Sequence, residues 1–370
     1  MKKLLLATAI TALTTSVVQA APTVYGKLNV SIDSMDEFAT TKADTNNVVK
    51  VNSNASRFGI KGSEELNDKL SAIYLAEWQI NVDGDGSDLG QRNRYLGLKY
   101  KDIGSVKAGK IDSPLKEAQG KIDYFNDLHV LDMGKVLAGE NRVNNVILLE
   151  SDSSALQGFG VNFMLQQAEN SKLDNNSADV GDSLGDAMSA SLTYKNKDMG
   201  LSAALAGDKN IVSTFNAASS AKAEADIVRL VASLDMAAIT SLSGLTFNAL
   251  MQSAEPTNLS TAAAAPATAA TPTQPAVAAG AFYGFDKEDS FLLSAAYKIA
   301  QTPWTVKAQY QQSQTSFDNK DDVTLSQFGG MLDYTFNAKT RAYGYLAQQQ
   351  DDRKNVDDRN YFGLGMEYNF

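Results

Sequence analysis

The sequence predicts an all-β protein, a 16-stranded antiparallel transmembrane β-barrel. Three observations lead to this class. Alternating apolar and polar residues recur along the chain, the links between them alternate in length, and the last ten residues are themselves an alternating strand. One face of that strand carries only apolar residues, namely Phe362, Leu364, Met366, Tyr368 and Phe370. An apolar face at a chain end needs no buried core if it points at lipid, and the opposite face would then line a wet lumen.

The first twenty residues have the pattern of a secretory signal peptide. Lys2 and Lys3 precede an apolar segment from Leu4 to Val18, and the small residues of Val18–Ala20 fit a cleavage site. A membrane anchor is the alternative, but threonine and serine residues interrupt the segment and it is short for a spanning helix. We therefore expect residues 1–20 to be removed and residues 21–370 to form a single domain.

Composition excludes several classes of protein. The formal net charge is −10, and loss of the signal peptide would make it more negative, which argues against a nucleic-acid partner. The chain has no cysteine, so neither a disulfide nor a thiolate metal site is expected. No later segment approaches the roughly eighteen apolar residues of a spanning helix. An exported chain of this kind is either soluble or a closed barrel.

Sixteen strand-like segments follow the signal peptide. The first three read TVYGKLNVSID, SRFGIKGSEEL and KLSAIYLAEWQINV. The others begin near Gln91, Ser105, Arg142, Gly158, Gly185, Gly200, Ala223, Gly244, Asp289, Pro303, Leu325, Lys339 and Asp358. Most have about the 9–11 residues that a tilted transmembrane strand needs.

The links between these segments alternate in length. Tight turns such as KDIG and NAKT alternate with longer links at 34–54, 83–90, 113–141, 171–184, 210–222, 256–288, 317–324 and 352–357. Short turns at one rim and long loops at the other are typical of outer-membrane barrels, whereas a soluble β-sandwich has no reason to sort its loops. The link at 256–288 is rich in Ala, Thr and Pro and is predicted to be a flexible external loop.

Several motifs, taken together and in order, resemble the general porins of Gram-negative outer membranes. They are VYGKLNV, SRFGIKGSEEL, RNRYLGLKYKDIGSVKAGKIDSPLK, RVNN and the terminal aromatic residue, and the likeness covers about 22–370. The resemblance implies a homotrimer, a third long loop (113–141) folded into the lumen, and a C-terminal assembly signal at Tyr368 and Phe370. The match is incomplete after Arg142, where VILLESD replaces the tyrosine and Ser-Pro that the family usually has.

The resemblance also implies a basic row on the barrel wall that faces acidic residues on the inward loop. The wall candidates are Lys27, Arg57, Arg92 and Arg142, with Arg94 added because it should share the face of Arg92. The loop candidates, chosen by position alone, are Asp123 and Asp127, followed by Glu117 and Asp132.

Patterning supports the wall set independently of the family. Lys27, Arg57 and Arg142 lie on polar strand faces, and a charge on the lipid face costs roughly 2–4 kcal/mol near the midplane. Opposed charged walls would orient dipolar solutes and hinder apolar ones. The alternative is that some of these charges form trimer contacts or salt bridges at the rim.

Other motifs give no site for catalysis, metal or cofactor. DGDGSD (residues 83–88) fails as an EF-hand, because Asp88 stands where glycine is needed and Arg94 where glutamate is needed. It is predicted to be an external acidic turn that could bridge divalent ions at the lipopolysaccharide surface. His129 is the sole histidine and has no legible serine partner in NDLHVLD, which disfavours an enzyme. It either packs or tunes conductance.

The predicted function is therefore passive diffusion of ions and small hydrophilic solutes through a trimer embedded in outer-membrane lipid and lipopolysaccharide. A substrate-specific channel is one alternative, and it would need an aromatic ladder or a dense track of one charge sign. A non-conducting, surface-binding barrel is another. Net acidity favours cations in the vestibule while the wall cations favour anions, and we expect a lean toward cations.

Overall fold

The computed structural model describes residues 21–38, 45–86, 89–128, 131–169, 173, 181–218, 220–257, 284–318, 321–353 and 356–370. The predicted signal peptide, His129, two residues of DGDGSD and most of the Ala/Thr/Pro-rich loop lie outside this description. Within the described ranges, no helix has both the length and the apolar character needed to cross a membrane.

The described residues form one large antiparallel sheet. Its strands are β1 Thr23–Phe38, β2 Thr45–Ser53, β3 Arg57–Glu65, β4 Leu70–Gln79, β5 Gly90–Tyr100, β6 Gly104–Asp112, β7 Arg142–Ser151, β8 Phe159–Gln166, β9 Ala187–Asn196, β10 Leu201–Phe215, β11 Ala221–Asp235, β12 Leu245–Pro256, β13 Phe285–Lys298, β14 Trp304–Phe317, β15 Val323–Asn337, β16 Thr340–Asp351 and β17 Arg359–Asn369. A short helix, α1 Pro114–Glu117, and 3₁₀ turns at Met133–Lys135 and Met236–Ala238 complete it.

The sheet closes into a barrel of sixteen positions, as predicted. The last strand pairs with the first, from Lys27↔Asn369 to Met35↔Tyr361. Strands β2 and β3 share one position, because β2 pairs with the second half of β1 and β3 with its first half. At the break between β2 and β3, Ser56 Oγ accepts a hydrogen bond from Asn29 N at 2.9 Å. This bond satisfies a backbone N–H group at the point where the pairing of strands is interrupted.

Two of the predicted long links are largely strand. In the link predicted at 34–54, β1 continues to Phe38 and β2 begins at Thr45. In the link predicted at 210–222, β10 continues to Phe215 and β11 begins at Ala221. Polar residues do not end a strand whose backbone still pairs with a neighbour, so the composition of these segments was a poor guide to their structure. The link at 113–141 has the predicted bounds, since β6 ends at Asp112 and β7 begins at Arg142.

The barrel is apolar on its outside and polar on its inside, which is the reverse of a soluble protein. Large apolar side chains are exposed on the outside, for example Leu96 at 68% and Leu364 at 58%. Polar side chains such as Asn29, Asp33 and Gln311 are buried on the inside. The apolar face of the final strand is on the outside, where Phe370 is 43% exposed. This arrangement suits a wall between lipid and water.

Candidate functional site

The segment 113–141 lies inside the barrel. Ser113 follows the last residue of β6 and caps α1, because its side chain accepts a hydrogen bond from Lys116 N. From there the segment reaches inward-facing side chains on widely separated strands; its contacts are Tyr124 N to Gln309 at 2.7 Å, Gln327 to Leu131 O at 2.8 Å, Ala138 N to Glu288 at 2.8 Å, and Asp127 to Lys27 at 2.5 Å. A segment bonded to the inner faces of β1, β13, β14 and β15 must cross the lumen. We call it the inner loop.

Apolar packing fixes one side of the inner loop to the wall. The inward faces of β10–β15 carry apolar residues at this level, and the inner loop presents its own apolar side chains to them. The cluster consists of Ile122, Met133, Val136 and Leu137 with Ala204, Ala217, Val231, Leu250, Leu292, Val323 and Leu325. Nearby, the fully buried ring of Phe125 meets Tyr345 edge to face, with centroids 6.2 Å apart. Burial of this size makes the inner loop part of the protein core.

A buried arginine on β11 joins both ends of the inner loop. Arg229 is 0% exposed; its Nη1 donates to Glu140 Oε1 at 2.8 Å and to Leu115 O at 3.3 Å, and its Nη2 donates to Ala138 O at 3.1 Å. Its Nε donates to Gln252 at 2.8 Å, so the guanidinium is satisfied on each side. Burial raises the pKa of Glu140, although Arg229 acts in the opposite direction. This pair was not predicted from the sequence; its available signal was a lone arginine within the apolar run of β11.

The tip of the inner loop is held by charge. Asp127 Oδ2 lies 2.5 Å from Lys27 Nζ on β1 and 3.2 Å from Arg57 Nη1 on β3. Burial alone would raise the pKa of Asp127, but the ammonium of Lys27 and the guanidinium of Arg57 outweigh it and hold this pKa below its ordinary value. Asp127 is the predicted loop acid that the structure brings into contact with the predicted wall cations.

The wall itself alternates in charge, which sequence analysis did not anticipate. Glu77 on β4 lies between two predicted cations, 2.5 Å from Arg92 Nε and 3.9 Å from Arg57 Nε. Tyr25 also donates a hydrogen bond to Glu77 at 2.9 Å. Further round the barrel, Arg142 Nε lies 3.1 Å from Asp112. The basic row is therefore partly neutralised by carboxylates of the wall, and its field is weaker than four free cations would give.

The other predicted loop acids have different surroundings. Asp123 is buried within the inner loop, where it accepts hydrogen bonds from Phe125 N, Met133 N and Gln309 Nε2. Burial, with a contribution from the Asp132 carboxylate, raises the pKa of Asp123 to about 8. Asp132 accepts a hydrogen bond from Gly134 N and begins the 3₁₀ turn. Asp123 therefore braces the inner loop internally and against β14, and it does not face the wall cations.

An open space of about 560 Å³ remains between the inner loop and the wall. Both charge signs line it: the wall cations Arg57, Arg92 and Arg142 face the inner-loop acids Glu117, Asp127 and Asp132. Burial, followed by the nearby Asp112, raises the pKa of Glu117. In the described ranges, no group of His, Cys, Asp and Glu side chains has the arrangement needed to hold a metal ion. The space is suited to passing hydrated polar solutes past two charged surfaces.

Arg94 does not belong to the wall set, and its predicted orientation was wrong. A β-bulge lies between the pairs Trp78↔Gln91 and Ala76↔Arg94, so that Glu77 opposes both Arg92 and Asn93. The extra residue reverses the alternation, which leaves Arg92 inside and turns Arg94 outward. Arg94 instead lies over the Trp78 ring, with its Cζ 5.3 Å from the centroid.

Comparison with known proteins agrees with this geometry. The family model described as Gram-negative porin matches residues 7–354. The chain belongs to the Gram-negative porin family. Major outer membrane protein P.IB of Neisseria sicca is 30% identical over 181 residues, which are 46% of this chain and 48% of that protein. The chain spans about half the length of the curated relatives that it matches.

Solved structures share the fold of this porin over almost its whole length. The anion-selective porin from Comamonas acidovorans superposes with a TM-score of 0.67 at 16% identity, over 95% of this chain and 99% of that one. The trimer form of OmpT from Vibrio cholerae, folded in vitro, gives 0.61 at 15% identity, over 95% and 100%. These likenesses establish the closed antiparallel barrel.

Proposed function

We propose that this porin is a general diffusion channel, which passes ions and small hydrophilic solutes through a water-filled lumen without catalysis. The observation that carries the proposal is the inner loop, tethered across the lumen so that a space of about 560 Å³, lined by charges of both signs, is left between the loop and the wall. A solute must pass between the wall cations and the inner-loop acids. It would be sorted by size and by the transverse field at that level.

The charge arrangement supports only weak ion selectivity. Cations and carboxylates line the narrow space in equal number, and Glu77 offsets the cations on either side of it. The overall charge of −10 then favours the passage of cations over that of anions. We therefore propose a weakly cation-preferring pore, with Lys27, Arg57, Arg92 and Arg142 opposing Glu117, Asp127 and Asp132 at its narrowest level.

Export and assembly belong to the same proposal. Removal of residues 1–20 would deliver the chain to the outer membrane, with its long loops toward lipopolysaccharide. The trimer form of OmpT supports a homotrimer. The exposed Tyr368 and Phe370 at the end of β17 are the proposed assembly signal.

The test is electrical. The mature chain would be refolded in detergent and inserted into a planar lipid bilayer under a salt gradient. Stepwise ohmic insertions that close in thirds at high voltage are expected for an open trimer, and the reversal potential should show a small cation preference. A barrel that inserts but stays silent would refute the channel and leave surface binding by the long loops as the function. Saturation by one solute class would favour a substrate-specific channel.

A further inference from the structure

Two tyrosine side chains cross the last strand on the inner face of the barrel. Tyr343 and Tyr345 on β16 are the register partners of Gly365 and Gly363 on β17. Gly363 is in turn the register partner of Asp33 on β1. Side chains of β16 and β1 therefore face each other over a part of β17 that carries no side chain on its inner face.

Both tyrosines reach the first strand. Tyr345 Oη donates a hydrogen bond to Asp33 Oδ1 at 2.8 Å, and Tyr343 Oη donates one to Asn29 Oδ1 at 2.7 Å. None of these four residues is more than 5% exposed. Loss of a hydrogen bond between buried polar groups is costly, because neither group can turn to water instead. β16 is thus bonded directly to β1 across the seam where the barrel closes.

The two glycines of β17 make this crossing possible. A Cβ on Gly363 would overlap both Asp33 Oδ1 and the Tyr345 ring, and a Cβ on Gly365 would overlap the Tyr343 ring. Any larger residue at either position would therefore block a crossing bond. Aromatic side chains that cover strand glycines are a known means of fixing the register of a sheet.

Alternation alone does not fix how β1 pairs with β17. A slip by one residue would turn the polar face outward, but a slip by two residues keeps each side chain on its own face. In one such slip Tyr345 would face Met35, which offers no acceptor. In the other slip Asp33 would lie opposite Tyr361. Either slip removes the bond between Tyr345 and Asp33.

We propose that Tyr343 and Tyr345 select the register in which the barrel closes, and so act as positioning residues for the inner loop. Phe125 of the inner loop meets the Tyr345 ring edge to face, with centroids 6.2 Å apart. Lys27, which binds Asp127 at the tip of the loop, lies on β1. A slip by two residues would move Lys27 by about 7 Å along β17 and away from that contact. The inference concerns closure of the barrel and does not depend on conduction.

Engineered disulfides can report the register, because the chain has no cysteine of its own. Ile32 and Leu364 are register partners, and directly opposed residues of antiparallel strands lie within reach of a disulfide. Ile32→Cys with Leu364→Cys therefore reports the observed register. Ile32→Cys with Phe362→Cys or with Met366→Cys reports the two slips. Each full mature chain would be refolded in detergent and oxidised, and denaturing gels would separate bridges within one chain from bridges between chains.

We expect chains with both tyrosines to form the bridge of the observed register and almost none of the slipped ones. Tyr343→Phe combined with Tyr345→Phe should raise the yield of a slipped bridge several-fold, because the crossing bonds are lost while the alternation is kept. Each single substitution retains one crossing bond and should give a smaller rise. The single variants supply the test if the double variant does not fold.

Tyr25→Phe is the matched control. Tyr25 on β1 crosses Gly59 on β3 and donates a hydrogen bond to Glu77 on β4 at 2.9 Å, so this substitution removes the same kind of bond away from the seam. It should leave the yields of all three bridges unchanged. Heat-dependent migration on gels would confirm that each variant is folded.

Two results would overturn the proposal. If the tyrosine variants form only the bridge of the observed register, the backbone and the alternation set the register without the crossing bonds. If Tyr25→Phe raises the slipped bridges as much as the seam variants do, the effect comes from loss of a buried hydroxyl anywhere in the wall. Conductance recorded on the same samples keeps an altered register and failure of the channel as separate outcomes.

Discussion

Lys27 Nζ lies 2.5 Å from Asp127 Oδ2, which joins the first strand of the barrel to the tip of a loop one hundred residues later. The same carboxylate lies 3.2 Å from Arg57. On the other side, Lys27 lies 3.9 Å from Glu367 on the last strand. One lysine therefore connects the closing seam of the barrel with the loop that narrows its lumen.

Asp127→Asn should shift the ion preference of the pore toward anions. The substitution leaves Lys27 and Arg57 without their shared carboxylate, and one unit charge at about 4 Å is worth about 1 kcal/mol in water, or on the order of fivefold in a permeability ratio. Reversal potentials in a potassium chloride gradient would measure the change. Asp198→Asn removes an equal charge from an exposed turn at the opposite rim and should leave the potential unchanged. Equal potentials for the wild type and Asp127→Asn would show that Asp127 is not in the ion path.

Acid should release the tip of the inner loop, because protonation of Asp127 removes the charge that binds Lys27 and Arg57. Its pKa in the folded protein is below the ordinary value of about 3.9, so its contribution to stability is present above about pH 4 and is lost as the pH falls through the lowered pKa. We expect current fluctuations to increase in that acidic range. Between pH 5 and 8 Asp127 stays ionised, so it should cause no such fluctuations.

The variant Asp127→Asn serves as the control for this pH effect, because its amide does not titrate. Its fluctuations should be the same at pH 3 as at pH 7 if Asp127 alone is responsible. An acid transition of equal size in the variant would assign the effect to another carboxylate of the lumen. Single-channel records at constant ionic strength are the measurement.

Arg229→Met should destabilise the attachment of the inner loop. Removal of one partner from a buried ion pair costs about 3–5 kcal/mol, because Glu140 is left buried without its cation. The Leu115 carbonyl also loses its donor, and the Ala138 carbonyl keeps only the hydrogen bond from Gln252 Nε2. Urea-dependent unfolding in lipid vesicles would measure the loss, and single-channel records should show irregular closures.

The double variant Arg229→Met with Glu140→Gln keeps this prediction testable if the single variant fails to fold. It removes the unpaired charge and should recover part of the stability. Lys197→Met, at an exposed turn, is the matched control and should change the free energy of unfolding by no more than about 0.5 kcal/mol. An Arg229→Met channel with normal stability and quiet conductance would show that the other contacts of the inner loop hold it without Arg229.

The barrel could be predicted from the sequence because each strand carries its own period-2 signal. Inward and outward faces need only local alternation, and the predicted starts of most strands lie within a few residues of the observed ones. Arg94 shows the limit of this reasoning. A single inserted residue at the β-bulge reverses every side chain beyond it, and nothing in the local sequence of β5 marks that insertion.

The site could be predicted only in part, because some of its contacts join residues that are distant in the sequence. Lys27, Arg57 and Arg142 were accessible because each follows from the alternation of one strand. Glu77 and Arg229 were not, because their roles come from neighbours that only the closed barrel brings near. The inner-loop acids were chosen by position, and the structure separates Asp127, which meets the wall, from Asp123, which lies within the loop.

Gly329 and Gly330 offer a matched pair for testing how Phe125 supports the inner loop. A Cβ on Gly329 would lie 2.3 Å from the Phe125 ring, whereas a Cβ on Gly330, which faces outward, would lie no closer than 3.9 Å to Lys307 O. Gly329→Ala should therefore push the ring and the loop away from the wall and into the lumen, at a cost of about 1–3 kcal/mol for overpacking. Single-channel conductance should fall in Gly329→Ala and stay normal in Gly330→Ala.

A second substitution tests whether the lower conductance of Gly329→Ala arises through Phe125. Phe125→Ala combined with Gly329→Ala removes the ring that the new methyl group would displace, so the inner loop can return toward the wall. Conductance should then rise again toward the wild-type value. If the double variant conducts as poorly as Gly329→Ala alone, the methyl group acts on the wall and not through Phe125, and the inner loop takes its position from the ion pairs of Arg229 and Lys27 instead.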